Sequence, residues 1–340
     1  MTAYIGLMYK TKLIFTAESH PLPLEEMHES LGLVMVDPVQ DEFIVGFVRD
    51  AVRANSVIIS ERVPGYWWGD RGKDGKVGQP AAPGEKVLLA FHAGGFVMGT
   101  SRPKGSNDIV ISDLLTNSSS HFTRVFAPDY RLASSAPNPI ANPFPGALLD
   151  ALASYLYLLK LGFTPNNIIV FGDSSGGTLS VLLTRYIIQL ISLKLKFRGE
   201  PLQTPSHVIL VSPSLDWSTS FHHGPESSYV ARSLLGSLPP ESLYTNAWLS
   251  PASLKISEEE RRKLYAGFPN TYIAAGEFEC SIDPMKTFYE WLKSSVAVEV
   301  SVEYDVIPKG GHDIVAMSFF EPERTELFKR IDKWLTRTGF

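Results

Sequence analysis

Short runs of consecutive apolar residues recur along the chain, separated by polar or glycine-containing segments. A run of about four to eight β-branched, aromatic or aliphatic residues is typical of a strand buried on both faces of a parallel sheet. Four runs fit this description, at 87–91, 168–171, 207–211 and 271–275. A fifth run, at 298–304, alternates apolar and polar residues and predicts a last strand with one buried face. The first strand is expected near 57–59. The pattern therefore predicts an α/β fold with a mostly parallel central sheet flanked by helices.

Two stretches have the spacing of helices. Apolar residues cover nearly every face of the segment 178–191, which predicts a buried helix. Between residues 24 and 54, Pro38 divides two predicted helices. Their apolar positions are Leu24, Met27, Leu31, Val34, Phe43, Phe47, Val48 and Ala51. The segment 69–84, rich in Gly, Asp, Lys and Pro, predicts a connecting loop, and 216–251 interrupts the alternation of strands and helices.

The pentapeptide Gly-Asp-Ser-Ser-Gly at 172–176 lies between a predicted strand and the predicted buried helix. In a G-x-S-x-G elbow the serine has strained backbone angles, and glycines two residues to either side avoid collisions with the neighbouring strand and helix. This turn would hold Oγ of Ser174 in a cleft. The helix N-terminus would direct its free amides, including that of Ser175, towards negative charge forming beside Ser174. An ordinary Gly/Ser turn is the alternative interpretation of the motif alone.

A glycine-rich segment at 92–99 follows the strand predicted at 87–91. Small residues let backbone amides face a cavity, and acyl transfer requires donors where the oxyanion of the tetrahedral intermediate forms. The predicted oxyanion hole consists of three backbone amides, those of Ala93, Gly94 and Ser175. Three further residues are expected to support it: His92, Gly95 and Asp173. A Gly-rich turn or a phosphate-binding loop is the alternative, but the segment has neither G-x-G-x-x-G nor the P-loop lysine pattern.

These segments resemble the hormone-sensitive-lipase-like (HSL) branch of the α/β-hydrolases, whose loop reads H-G-G-G and whose elbow reads G-D-S-A-G-G. The segments 129–133 (Asp-Tyr-Arg-Leu-Ala) and 143–150 (Pro-Phe-Pro-Gly-Ala-Leu-Leu-Asp) are similar to that family's D-Y-R-L-A and P-F-P-A-A-L-x-D, and the resemblance extends from about residue 86 to the end. Ala93 replaces the first loop glycine and Ser175 the usual alanine. Backbone donors survive both replacements.

The resemblance implies an α/β-hydrolase domain covered by a helical cap. We expect N-terminal cap helices at 1–54, a catalytic domain at 55–340 and a second cap segment at about 216–251. Aromatic residues of the expected cap suit an apolar or ring-bearing ester, or simply pack the cap onto the body. They are Phe43, Phe47, Trp217, Phe221, Tyr229, Tyr244 and Trp248.

In an α/β-hydrolase the acid and the histidine of the triad follow the serine in that order. The family carries G-x-x-D-x-L-x-D after a strand, and its first Asp, the triad acid, falls on Glu279 of this chain. Glutamate can orient an imidazole as aspartate does, so Glu279 is the predicted acid and Asp283 the fallback. His312 follows the last predicted strand in a Gly-Gly-His-Asp loop and is the predicted base.

Composition and charge exclude some classes of function. The chain has 340 residues, 44% hydrophobic content and a net charge of −5, without a long basic run, which argues against nucleic-acid binding. The single cysteine, Cys280, excludes an internal disulfide and fits a cytoplasmic location. No signal peptide, transmembrane segment, metal-ligand spacing or cofactor motif is recognised. The expected partner is a small-molecule ester, and a homodimer is compatible with the sequence.

The sequence thus predicts a serine esterase. His312 would take the proton of Ser174 as it attacks the ester carbonyl, and Glu279 would stabilise the imidazolium. With an ordinary histidine pKa, activity should rise through about pH 6 to 7.5. Similarity to cap-bearing fungal esterases implies an acylated, for instance acetylated, natural product as substrate. Two alternatives remain: an acyltransferase using the same triad, and a non-catalytic small-molecule receptor on the same fold.

Overall fold

The computed structural model describes residues 31–56, 61–218, 220 and 228–340. Its main sheet has eight strands in the order β1-β2-β4-β3-β5-β8-β9-β10. The strands are β1 (Leu33–Val36), β2 (Val63–Gly69), β3 (Val87–Phe91), β4 (Arg124–Pro128), β5 (Ile168–Asp173), β8 (His207–Val211), β9 (Asn270–Gly276) and β10 (Val302–Ile307). Two short strands, β6 (Lys196–Phe197) and β7 (Glu200–Pro201), form a separate hairpin.

Strand direction divides the sheet. β1 pairs with β2, and β2 with β4, in antiparallel register. All pairings from β4 to β10 are parallel. Every residue of β3, β5 and β8 is buried, as expected for continuous apolar strands covered on both faces. The predicted α/β fold with a mostly parallel sheet is confirmed.

Helices cover both faces of this sheet. They are α1 (Gly46–Ala54), α2 (Asp108–Asn117), α3 (Gly146–Lys160), α4 (Ser175–Ser192), α5 (Tyr229–Leu235), α6 (Ser242–Thr245), α7 (Glu258–Tyr265), α8 (Ile282–Ser295) and α9 (Glu323–Arg337), with short 3₁₀ turns at Asp41–Phe43, Pro165–Asn167, Ile314–Ala316 and Ser318–Phe320. One hydrophobic core contains α1, α3, α4 and α8, and a second contains α2 and α9. Alternate residues of β3 enter the two cores, so the sheet is the middle of three layers.

The N-terminal half of the sheet departs from the prediction. Residues 33–36 form the edge strand β1, so a helix over these positions is wrong; Leu33 pairs with Tyr66 of β2. β2 was missed because Pro64 and Gly65 within it weaken the strand signal. The predicted strand at 57–59 and the helical positions Leu24 and Met27 lie outside the described residues. The second predicted helix is confirmed in part: Phe47, Val48 and Ala51 lie in α1, whereas Phe43 lies in the preceding 3₁₀ turn.

The last strand also begins later than the alternation predicted. Val298 is fully exposed, and β10 covers Val302–Ile307 instead of 298–304. Its register against β9 pairs Val302 with Thr271 and Ile307 with Gly276. The alternation of apolar and polar residues begins in the turn that precedes the strand. The strand itself starts only where its residues pair with β9. The loop predicted at 69–84 is present between β2 and β3, although Gly69 itself is the last residue of β2.

The segment expected to form the cap contains α5 and α6. Asn55, just after α1, joins this segment to the body: its side chain donates to the Phe144 carbonyl (2.9 Å) and accepts from the Ser237 amide (2.7 Å). Asn55 at the end of α1 therefore connects the 216–251 segment to the residues that precede α3. The division into cap and catalytic domain stays a prediction.

Candidate active site

Ser174 occupies the turn between β5 and α4 with φ 50° and ψ −117°, a left-handed conformation that a serine rarely adopts. A Cβ on Gly172 would lie 2.1 Å from the carbonyl oxygen of Gly176. A Cβ on Gly176 would lie equally close to the carbonyl oxygen of Phe91. Both glycines are required because strand, turn and helix approach at backbone distance, as the elbow motif predicted.

Three side chains from three loops form a continuous chain of hydrogen bonds. Ser174 Oγ lies 2.9 Å from Nε2 of His312, and Nδ1 of His312 lies 2.8 Å from Oε2 of Glu279. The Glu279 side chain is completely buried, whereas that of His312 is 38% exposed. With the Nδ1 proton directed at the carboxylate, Nε2 is free to accept the serine proton. A nucleophile, a base and an orienting acid are thus arranged in sequence.

The other carboxylates near this loop face elsewhere. Asp283, the fallback acid, is exposed in the first turn of α8, and no hydrogen bond joins it to His312 among the described residues. Glu277 accepts the Lys309 amide at 2.8 Å on the exposed side of the loop. Cys280 is exposed beside Glu279. Of the three candidate carboxylates, Glu279 alone contacts the imidazole.

Burial by itself lowers the pKa of His312. The hydrogen bond and the negative charge of Glu279, with a further contribution from the charge of Asp313, outweigh burial and raise this pKa above its ordinary value of 6.5. A raised pKa means that the imidazolium is stabilised at this position. The environment therefore favours the protonated histidine that forms when a serine proton is transferred.

The glycine-rich loop after β3 lies beside the elbow. Gly94 has φ 125°, and a Cβ there would lie 2.0 Å from the Met98 carbonyl oxygen. The His92 ring stacks on Tyr130 with centroids 4.1 Å apart, and its Nδ1 lies 2.6 Å from the Ala93 carbonyl oxygen. These contacts fix the loop in a conformation that only glycine can adopt at position 94.

The three predicted oxyanion donors differ in their contacts. The Ala93 amide lies near the carboxyl group of Asp173, where it opposes the rise in the pKa of that group. The amides of Gly94 and Ser175 have no hydrogen-bond acceptor among the described residues. Ser175 is the first residue of α4, where helix amides are unpaired and the dipole is positive. Gly94 and Ser175 are therefore the better placed of the three.

A second pair of carboxyl groups lies beside the triad. Asp173, which the sequence predicted as a supporting residue, precedes the serine; Asp313, which it did not single out, follows the histidine, and the two groups interact electrostatically. Burial, then the charge of Asp313, raises the pKa of Asp173 well above its ordinary value. Burial also raises the pKa of Asp313, so ionisation of both neighbouring carboxyl groups together is disfavoured. The sequence could have indicated this pair, because each aspartate is adjacent in the chain to a predicted triad residue.

Two serines after β8 also belong to the site. Ser214 Oγ lies 3.3 Å from Ser174 Oγ, and Ser212 Oγ donates to Glu279 Oε1 at 2.6 Å. Neither was predicted. Both follow the carboxyl end of a central parallel strand, which is the edge where ligand sites of open α/β sheets are found.

A small apolar cavity begins one turn along α4 from Ser174, where the Thr178 amide bonds to the Ser174 carbonyl. Its volume is about 20 Å³. Residues from the glycine-rich loop, from α3 and α4 and from the expected cap line it: Phe96, Arg131, Ala133, Asn142, Phe144, Pro145, Ala147, Leu148, Thr178, Leu179, Leu182, Trp217, Leu234, Trp248 and Leu249. Of the aromatic residues expected at a substrate rim, Trp217 and Trp248 line it. Phe43 instead packs on Phe197, and Phe221 lies outside the described residues.

No helix among the described residues is long and apolar enough to cross a membrane. No group of three or more His, Cys, Asp or Glu side chains in the same part of the chain is arranged to hold a metal ion.

The chain is similar in sequence to a known protein family and to several enzymes. A family described as having the alpha/beta hydrolase fold matches residues 88–316. The chain is 25% identical over 217 residues to an esterase of Acinetobacter venetianus, covering 62% of each chain. It is 28% identical over 138 residues to an acetyl-hydrolase of Streptomyces hygroscopicus, covering 41% of this chain and 39% of the relative. The chain thus spans less than two thirds of the length of either curated relative.

Solved structures share the fold over more of the chain. A carboxyl esterase from the mycorrhizal fungus Tuber melanosporum superposes with a TM-score of 0.59 at 21% identity and 97% coverage of both chains. An esterase described as belonging to the bacterial hormone-sensitive lipase family gives a TM-score of 0.57 at 24% identity and 81% coverage of both chains. At these identities the likeness concerns the fold.

Proposed function

This chain belongs to the α/β-hydrolase fold family, and we propose that it is a serine hydrolase that cleaves carboxylic esters through an acyl-enzyme. The observation that carries the proposal is the unbroken series of hydrogen bonds from Ser174 through His312 to Glu279. These residues follow β5, β10 and β9, three strands whose carboxyl ends meet at one edge of the sheet. The names of the relatives, esterase and acetyl-hydrolase, agree with it.

Acylation begins with attack of Ser174 Oγ on the ester carbonyl carbon. His312 Nε2 accepts the hydroxyl proton as the new C–O bond forms, and Glu279 stabilises the resulting imidazolium. The carbonyl oxygen becomes an oxyanion. It accepts hydrogen bonds from the Gly94 and Ser175 amides, with the Ala93 amide as the third predicted donor. His312 then returns the proton to the leaving alkoxide as the C–O bond to the alcohol breaks.

Deacylation repeats these steps with water. His312 Nε2 removes a proton from a water molecule, which attacks the acyl carbon, and the protonated histidine then returns a proton to Ser174 Oγ as the carboxylic acid leaves. An alcohol or amine in place of water would give acyl transfer. Hydrolysis is the proposed reaction.

The test of this function is incubation of the purified protein with p-nitrophenyl acetate and, separately, with a fluorophosphonate probe. We expect burst release of nitrophenol and covalent labelling of Ser174. Product analysis with a competing alcohol separates hydrolysis from acyl transfer. A folded protein that neither turns over the ester nor reacts with the probe would contradict the proposal and favour a receptor.

We further propose that the acyl group is short, with acetyl as the best fit. A cavity of about 20 Å³ has room for little more than one water-sized group. Its lining is mostly apolar, with Arg131, Asn142 and Thr178 as polar exceptions, which suits the methyl group of an acetate ester and excludes a long chain unless the cap moves. An acetylated, apolar natural product therefore remains the proposed substrate class. A cytoplasmic location and a homodimer are likewise retained as proposals.

Enlarging the cavity should change the preference for acyl length. For the wild type we expect kcat/KM to fall at least about tenfold from p-nitrophenyl acetate to the octanoate. Leu234→Ala, on the cap helix α5, should raise the relative rate on the butyrate, because it removes methyl groups from the cavity wall. Leu238 is buried to a similar degree but does not line the cavity, so Leu238→Ala is the matched control. Equal preferences in all three proteins would contradict the assignment of the cavity.

The pH dependence should reflect the charged neighbours of His312. Because its pKa is raised above 6.5 and the base must be neutral, the acid limb of kcat/KM should be centred above pH 6.5. Asp313→Asn removes a negative charge that raises this pKa, so its acid limb should lie at lower pH. The exposed Glu299→Gln serves as a charge-matched control and should leave the limb in place. A limb that does not move in Asp313→Asn would be the contrary result.

A further inference from the structure

The triad acid of this chain needs more support than an aspartate would. The glutamate side chain has one more rotatable bond than that of aspartate. A smaller fraction of its rotamers therefore places a carboxylate oxygen within hydrogen-bond distance of an imidazole. Glu279 nevertheless has a single arrangement in which its two oxygens have different partners. Oε2 faces His312 Nδ1, while Oε1 accepts from the Gly276 amide and the Ser212 hydroxyl, both at 2.6 Å.

Ser212 connects the ends of three strands. It follows β8 with φ 48°, and its amide donates to the Ala274 carbonyl of β9 at 2.8 Å. Its Oγ accepts the Asp313 amide at 3.1 Å and lies 2.6 Å from Oε1 of Glu279. Since the amide can only donate, the hydroxyl proton must point to the carboxylate. One hydroxyl thus ties the acid loop to the loop that carries the histidine.

Ser212 itself does not face substrate. It has no exposed surface and does not line the apolar cavity. Among the described residues, its hydroxyl bonds to the Glu279 carboxylate and to the amide that follows His312. We propose that Ser212 is a positioning residue, which keeps Oε2 of Glu279 aligned on Nδ1 and fixes the backbone next to His312. This inference rests on the proposed function, because it assigns Ser212 a part in the same triad.

Removing the hydroxyl should slow catalysis without weakening substrate binding. We expect Ser212→Ala to lower kcat on p-nitrophenyl acetate by about 10- to 100-fold with little change in KM, since small misplacements of catalytic groups have effects of this size. Ser154→Ala is the matched control. Ser154 is also fully buried and donates to a helix carbonyl, but it lies in α3 away from the triad, so its kcat should stay close to wild type.

A double-mutant cycle separates positioning from general destabilisation. If Ser212 acts through Glu279, Ser212→Ala should have almost no further effect in a Glu279→Gln background. A merely structural role would instead lower kcat by the same factor in both backgrounds, and that result would overturn the proposal. The low-field NMR signal of the His312 Nδ1 proton should also move upfield in Ser212→Ala, because its hydrogen bond to Glu279 is loosened.

Ser212→Cys keeps the test valid if the alanine variant does not fold. It retains a side chain of similar size but replaces the hydroxyl with a weak donor, so it should reproduce the loss of kcat. A cysteine or alanine variant with wild-type kcat would overturn the inference while wild-type activity still supported the esterase. Absence of turnover and probe labelling in the folded wild type would instead contradict the esterase itself.

Discussion

Ser174→Ala should lower kcat by about 10⁶-fold, the size of the loss known for removal of the nucleophile from a serine-hydrolase triad. The physical reason is that Oγ forms the bond to the acyl carbon. Among the described residues, Ser174 is the hydroxyl that is hydrogen bonded to His312 Nε2. Labelling by the fluorophosphonate should disappear with the activity. Stopped-flow assays of nitrophenol release measure both the burst and the steady state.

The fold should survive this substitution. An alanine in place of Ser174 would have the same strained backbone, and the elbow is held by the amide of that residue bonded to the Val211 carbonyl, a contact that alanine retains. Ser180→Ala is a matched control on the same helix, because that buried hydroxyl bonds only to the Gly176 carbonyl. It should keep activity close to wild type. A loss smaller than tenfold in Ser174→Ala would remove the serine from the role of nucleophile.

Glu279→Gln should lower kcat by about 10⁴-fold, as replacement of the acid by its amide does in another serine-hydrolase triad. The amide cannot stabilise the imidazolium, and its NH₂ group favours the wrong histidine tautomer. KM should change little because the Glu279 side chain is completely buried and does not line the apolar cavity. Residual activity should show an acid limb at lower pH, since Glu279 raises the pKa of His312.

The matched comparison for this variant is Asp283→Asn. Asp283 lies four residues further along the chain, but it is exposed and lacks a described contact with the imidazole, so its amide variant should stay near wild type. Parallel measurement of kcat in the two variants therefore distinguishes the two carboxylates. If Asp283→Asn caused the larger loss, the role of triad acid would pass to Asp283.

Much of the fold and of the candidate site could be predicted because the signals were local. Continuous apolar runs marked β3, β5, β8 and β9, since burial on both faces requires apolar residues at every position. The glycines around Ser174 marked the elbow, because only glycine tolerates backbone contacts near 2 Å from a potential Cβ. His312 was found from its place after the last strand.

What the sequence left open depends on contacts between distant segments. The resemblance favoured Glu279 over Asp283 as the acid, but only packing of the loop after β9 buries the one against His312 and exposes the other. Strand β1 required its partner β2 in order to be recognised, since four edge residues carry little pattern of their own.

The sequence alone determined the nucleophile, base and acid that the chain brings to the site and the buried parallel strands β3, β5, β8 and β9, because these follow from side-chain chemistry and apolar periodicity. Only the tertiary structure decided how those groups are paired. The hydroxyl of Ser212 bonds to Glu279 and to the Asp313 amide, which are 67 and 101 positions away in the chain, and hydrogen bonding between such residues depends on three-dimensional placement that no local pattern specifies.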